Sequence, residues 1–165
     1  MTSAASSSPE WSFVPGSFVV PEELDRAGFR LVPLRPEFND EDYAAWQTSQ
    51  AHIRDTPGFA TYGWPIEMTL AQNLQDLEQH YTEFKQREGF TYSVLKGSEI
   101  IGCVYIYPSA AREPGVAEVR SWVRADHAAL DRPLYEMIGS WLRDEWPFEQ
   151  VRYAPRDREF ELADH

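Results

Sequence analysis

Cysteine occurs once in the 165 residues, at Cys103, so no disulfide can form within the chain and a reducing compartment suits it. Long apolar runs are missing as well. Residues 1–9 are small and Ser-rich, with no basic start and no apolar stretch, which argues against a signal peptide or a membrane span and makes the cytoplasm the expected location. Positive charge is scarce: 15 Lys and Arg stand against 27 Asp and Glu, a formal net charge of -12. The counterion release that drives nucleic-acid binding would oppose such a chain, so DNA and RNA are poor partners. A cationic ligand, an amine or a basic peptide, would be attracted, and ordinary acidic solubility accounts for the same charge equally well. His52, His80, His127 and His165 have no zinc-site spacing, so no metal is expected. The sequence has no G-x-S-x-G elbow, no P-loop and no dinucleotide fingerprint, which removes support for hydrolase, NTPase and Rossmann oxidoreductase readings.

What is present is apolar mass. Hydrophobic residues make up 42% of the chain and aromatics 14%, six Trp among them, enough for one core at this length and hardly for two. The expected organisation is a disordered tail at 1–10, an irregular arm at 11–28, one domain at 29–155 and a charged tail at 156–165. Phe29, Leu31 and Pro33 alternate with Arg30, Val32 and Leu34 as a first strand, with Pro33 at an edge or a strand end. Asn39 is placed to cap a helix that carries Tyr43, Trp46 and Ile53 on one face. Residues 55–67 hold two Pro and two Gly and must be a loop, and its Phe59, Tyr62 and Trp64 invite a binding role. Thr69 and Gln72 form a capping box for a helix with Leu70, Leu74, Leu77, Tyr81 and Phe84 at helical spacing. A β-hairpin turning at Gly97 follows, then a strand over 116–124.

On that last strand Ala117, Val119, Ser121 and Val123 share one face, while Glu118, Arg120, Trp122 and Arg124 share the other, so one face is core and the other is free for chemistry. Asp131 can cap a helix with Pro133 in its first turn, and Leu134, Met137, Ile138, Trp141, Leu142 and Trp146 line a single stripe. A short strand at 150–154 closes the pattern.

This order of elements, with Ile100-Ile101-Gly102-Cys103-Val104-Tyr105-Ile106 on the hairpin and Ala117-Glu118-Val119-Arg120-Ser121-Trp122-Val123 on the next strand, resembles the GNAT family of acyl-CoA-dependent N-acyltransferases. It is nearest in flavour to the ribosomal-protein N-terminal acetyltransferases. The resemblance covers residues 29–154 and implies an α/β (α+β) fold: a central, mostly antiparallel mixed sheet flanked by helices, truncated here after the fifth strand. The edge so left would be covered by a homodimer partner or by the arm folding back.

The activity implied is transfer of an acyl group, acetyl first, from acyl-CoA to a small-molecule or peptide amine by direct attack in a ternary complex. The alternative is a GNAT-shaped binding or dimerisation module without the usual CoA site. Acetyl-CoA would run beside Val123, with its pyrophosphate at the start of the following helix, where unpaired N–H groups and the helix dipole attract anions. Leu130 and Arg132 stand where the family favours glycine, so side chains of Arg124, His127 and Arg132 would grip phosphate instead. Glu118 is the candidate base, or else a charge paired with Arg120 or a tyrosine. Tyr105, Tyr107 and Tyr153 are candidate proton donors, Tyr153 foremost. Trp46, Tyr62, Trp64 and Tyr105 would line the acceptor side, or form a satellite core.

Overall fold

The computed structural model describes residues 11–156. Strands β1 (Leu24–Arg26) and β2 (Phe29–Pro33) come first, followed by helices α1 (Asn39–Gln47), α2 (Gln50–Asp55) and α3 (Leu70–Lys85). The hairpin β3 (Phe90–Lys96) and β4 (Glu99–Pro108), the strand β5 (Val116–Val123), helix α4 (Asp131–Glu145) and strand β6 (Gln150–Tyr153) complete the order. All six strands form one sheet in sequence order, antiparallel throughout except for the parallel pair β5–β6. The α/β class and the mostly antiparallel mixed sheet agree with the sequence reading.

The sixth strand, β1, lies in the segment expected to be irregular. It pairs Leu24 with Leu31 and Arg26 with Phe29 across a two-residue turn in which Ala27 and Gly28 both take positive φ, 57° and 85°. Hairpin turns of that shape are usually signalled by Asn-Gly or Asp-Gly. Ala27 carries no such signal, which is why the strand escapes a pattern search. Pro33 is the last residue of β2, beyond the reach of β1, so its missing N–H costs no ladder bond. The expected tail at 1–10 and the expected tail at 156–165 lie outside the described residues, apart from Arg156, which is buried and not solvated.

The two faces of the sheet are set by register. Gly102, Val104 and Ile106 of β4 sit opposite Val123, Ser121 and Val119 of β5, and this face packs on α4. The predicted stripe of Leu134, Met137, Ile138, Trp141, Leu142 and Trp146 is buried there, joined by Phe13 and Val14 of the arm. On the other face Cys103, Tyr105 and Tyr107 sit opposite Trp122, Arg120 and Glu118, beneath α1 to α3. Alternation in β5 therefore sends apolar residues to one side and the candidate chemistry to the other.

Two capping expectations are corrected. Asn39 does not cap α1, whose N-cap is Phe38. Its amide bridges to α3, donating to the Leu70 carbonyl and accepting from Asn73. Asp131 is the first residue of α4, and its buried carboxylate is paired with Arg156. The Thr69 box does form: the Thr69 hydroxyl accepts from Gln72 N at 3.1 Å and the Gln72 side chain accepts from Thr69 N at 2.8 Å.

Candidate active site

Between α1, α3 and the loop before α3 on one side, and β4–β5 on the other, lies a cavity of about 550 Å³. Its sheet wall is Tyr105, Tyr107, Glu118, Arg120 and Trp122, its loop wall Tyr62 and Trp64, and its helical wall Asp42, Asn73, Asp76, His80 and Glu83. Four carboxylates therefore face one guanidinium and one imidazole. Amid aromatic surface, this is an environment that favours a cation through both the carboxylate field and ring quadrupoles.

Each wall is fixed by local bonds. Arg120 Nε donates to the Gly58 carbonyl at 2.9 Å, and its guanidinium lies 3.9 Å from the centre of the Tyr62 ring, tying the aromatic loop to β5. Trp122 Nε1 donates to the Tyr105 hydroxyl at 2.9 Å, and burial pushes that phenol well above its ordinary range. In the helical wall Asp42 accepts from Asn73 at 3.1 Å and from the Cys103 thiol at 3.6 Å. Burial drives the Asp42 carboxyl up to about 6 despite these bonds, and burial likewise raises the Cys103 thiol.

At the other end, Tyr107 donates to Glu83 at 2.6 Å and lies 2.8 Å from His80 Nδ1. His80, 3.7 Å from the carboxylate, and then the Tyr107 hydroxyl hold the Glu83 carboxyl down at about 2 against the effect of burial. Burial and the Glu83 charge raise the Tyr107 phenol. Asp42, Asp76, His80 and Glu83 were not read from the sequence as site residues, because α1, α3 and β4 meet only in the fold. The one legible hint was the spacing of Asp76, His80 and Glu83, four and three residues apart, which places them on one helix face.

Of the predicted acceptor residues, Tyr62, Trp64 and Tyr105 line the cavity. Trp46 does not: it is wholly buried, its indole N–H donating to Asn73 at 3.0 Å, and it supports Trp64 from beneath at a ring distance of 5.2 Å. Glu118 borders both the cavity and a second, more open cleft of about 420 Å³ at the β5–β6 junction. Its nearest cation is Arg152, at 3.6 Å, and not Arg120. Tyr153 borders the second cleft, its hydroxyl held by Ser121 and its phenol raised by burial.

The predicted phosphate-binding residues are spoken for. Arg124 forms two bonds to Asp126, at 3.0 and 2.8 Å, and His127 approaches the same carboxylate at 2.9 Å. Arg132 is paired with Glu136. Val123 is fully buried in the α4 core and Leu130 packs against that core. Three backbone amides of this segment are occupied too. Residues Ala125–Leu130 form a 3₁₀ helix in which His127 N donates to Arg124 O, Asp131 N to Ala128 O, and Ala125 N to the Ser49 hydroxyl. With these amides used internally, Pro133 without an N–H, and Asp131 at the helix start, the segment in this conformation does not fit the pyrophosphate of an acyl-CoA. The paired acids were legible in advance: Asp126 is two residues from Arg124, and Glu136 is four from Arg132.

Similarity to solved structures decides the architecture. The chain superposes on the ribosomal-protein-S5-alanine acetyltransferase of Vibrio fischeri with a TM-score of 0.56 at 14% identity, over 73% of this chain and 66% of that one, just under two thirds of its length. On the ribosomal L7/L12 alpha-N-protein acetyltransferase RimL the TM-score is 0.63 at 11% identity, over 92% and 82% of the two chains. The fold is that of the GNAT acetyltransferases. The microcin C7 self immunity acetyltransferase MccE, solved in complex with acetyl-CoA and AMP, shares the GNAT fold at a TM-score of 0.60 and 12% identity, over 87% and 79%. No protein-family model matches the sequence, and no curated protein matches it significantly. Among the described residues no group of three or more His, Cys, Asp or Glu could hold a metal ion, and no helix is long and apolar enough to cross a membrane.

Proposed function

We propose that this chain is an acyl-CoA-dependent N-acyltransferase, acetyl being the first acyl group to test, whose acceptor is a cationic amine taken into the acidic, aromatic cavity. The observation that carries this reading is the placement of that cavity against Glu118 of β5 in a GNAT fold. Asp76, Glu83 and Glu118 supply an attractive field for an ammonium group, and Tyr62, Trp64 and Tyr105 supply ring faces and edges. An amine arriving protonated must lose its proton before it can act as a nucleophile, and Glu118 and His80 are the two cavity groups suited to take it. A peptide amine is the acceptor class favoured by the likeness to ribosomal-protein acetyltransferases.

A second reading has an observation of its own. The pairing of Arg124, His127 and Arg132 with carboxylates favours a GNAT-shaped module that binds the amine without transfer. The experiment that separates them is release of free thiol from acetyl-CoA in the presence of a panel of amines and N-terminal peptides. Turnover that falls by about a hundred-fold or more in Glu118→Gln or His80→Gln identifies the proton acceptor. Amine binding without any thiol release rejects the transferase reading.

A further inference from the structure

The parallel pair β5–β6 is in register only from Val116 with Gln150 to Val119 with Tyr153; β5 then runs on to Val123 while the chain turns away. Divergence leaves backbone groups of the longer strand unpaired on that side, and the crevice at the carboxyl ends of parallel strands is where ligands settle in open α/β sheets. In this protein the end of the crevice at Ser121, next to the open cleft beside Val119 and Tyr153, is filled by the chain itself. Arg156 Nη2 donates to the Ser121 carbonyl at 3.0 Å and to its hydroxyl at 3.3 Å. Nη1 donates to the carbonyls of Ala154 and Pro57, at 2.9 and 3.4 Å. The guanidinium pairs with both Asp131 oxygens, at 2.7 and 3.3 Å, and lies 5.2 and 5.6 Å from the rings of Tyr135 and Tyr153. Arg156 is only 1% exposed and Asp131 6%.

We infer that Arg156 is a built-in stopper: its guanidinium holds the β5–β6 crevice against an elongated acyl donor, and the crevice opens when Arg156 leaves Asp131. This rests on the acyltransferase reading above. The position of Arg156 just past the end of strand pairing separates a stopper from a simple structural pin. Replacing both members of a buried ion pair by neutral groups costs little, because desolvation of both charges offsets their attraction, whereas removing one partner strands the other. Strand pairing ends at Tyr153, so residues 154–156 can swing out without breaking a ladder bond, leaving the Ser121 carbonyl for an amide N–H of the donor.

The test is calorimetric titration of the full chain with acetyl-CoA. Arg156→Ala alone strands a buried carboxylate, so the variant of choice is the double substitution Asp131→Asn with Arg156→Ala, its folding checked by circular dichroism. It is expected to bind at least about ten-fold tighter than the wild type, the gain when the competent state was populated at about a tenth or less. Equal affinity overturns the stopper and leaves the transferase reading standing; no binding by either protein at millimolar ligand overturns both. A second measurement needs no variant: acetyl-CoA added to the wild type must speed exchange of the Arg156 Nε hydrogen, which donates to Asp131 at 2.7 Å, and unchanged or slower exchange there overturns the inference.

Discussion

Tyr107 and Glu83 share a hydrogen bond of 2.6 Å between β4 and α3, and its direction places the proton on His80. The Glu83 carboxyl, held at about 2, is ionised at neutral pH and can only accept, so the phenol must donate to it. The Tyr107 oxygen is then left to accept, and of its two other neighbours the closer, His80 Nδ1 at 2.8 Å, carries a hydrogen toward it, with the Thr91 hydroxyl at 3.1 Å. In the neutral ring, Nε2 keeps its lone pair. Nitrogen NMR of the imidazole should show the Nδ1–H tautomer in the wild type and a shift toward the Nε2–H form in Tyr107→Phe. An Nε2–H wild-type ring would refute the assignment and weaken His80 as a proton acceptor.

Asp42 makes stability pH-dependent in the unusual direction for a carboxylate. Its folded value, about 6, exceeds the ordinary aspartate value of 3.8 because burial disfavours the charge. Between these values the native state binds more protons than the unfolded chain, so stability falls as pH rises from about 4 to about 6 and is level above. The loss is at most about 3 kcal/mol. Denaturant melts of Asp42→Asn should lose this slope relative to the wild type. Glu83 works oppositely: its depressed value gives stability that is present above its ordinary range and lost as pH falls toward about 2.

Arg120 is expected to matter locally. Replacing it by Ala removes the bond to Gly58 and the contact with Tyr62, two links that fasten the aromatic loop to β5. Exchange at residues 58–63 should quicken, with a global change within about 1 kcal/mol, since Phe59 still anchors the loop in the core. A large global loss would show that Arg120 supports the sheet and not the loop.

Much of this architecture could be read from the sequence, for physical reasons that also explain what could not. The α4 stripe and the Thr69 box are local patterns with one structural solution. The two-sided character of β5 follows from a period of two and puts Glu118 on the face free for chemistry, whereas Tyr62 and Trp64 are nominated as aromatics on a Pro- and Gly-rich loop. Trp46, nominated as an aromatic on a helix face, is core, because helical spacing shows periodicity and not which neighbour covers it. His80, Glu83 and Asp42 converge only in three dimensions. Arg156 looked like part of a solvated tail, since nothing in a charged segment marks the one residue whose partner, Asp131, lies 25 positions earlier.

Two glycines outside turns give opposite expectations. Gly102 of β4 faces Val123 of β5, and a Cβ there would overlap the carbonyl oxygen of Trp122 and press on Val123 Cα. Both obstacles are backbone, so no rotamer change relieves them, and the β4–β5 ladder under the cavity must shift. Gly102→Ala should cost at least the 1–3 kcal/mol typical of overpacking, and should also disturb Trp122 fluorescence. Gly139 sits inside α4 with nothing within 4 Å of a Cβ, so there Ala only removes unfolded-state freedom and improves helix propensity. Gly139→Ala should therefore stabilise by about 0.5–1 kcal/mol. Paired denaturant melts check both, and a neutral Gly102→Ala would mean that β4 and β5 are not held in the register on which the cavity depends.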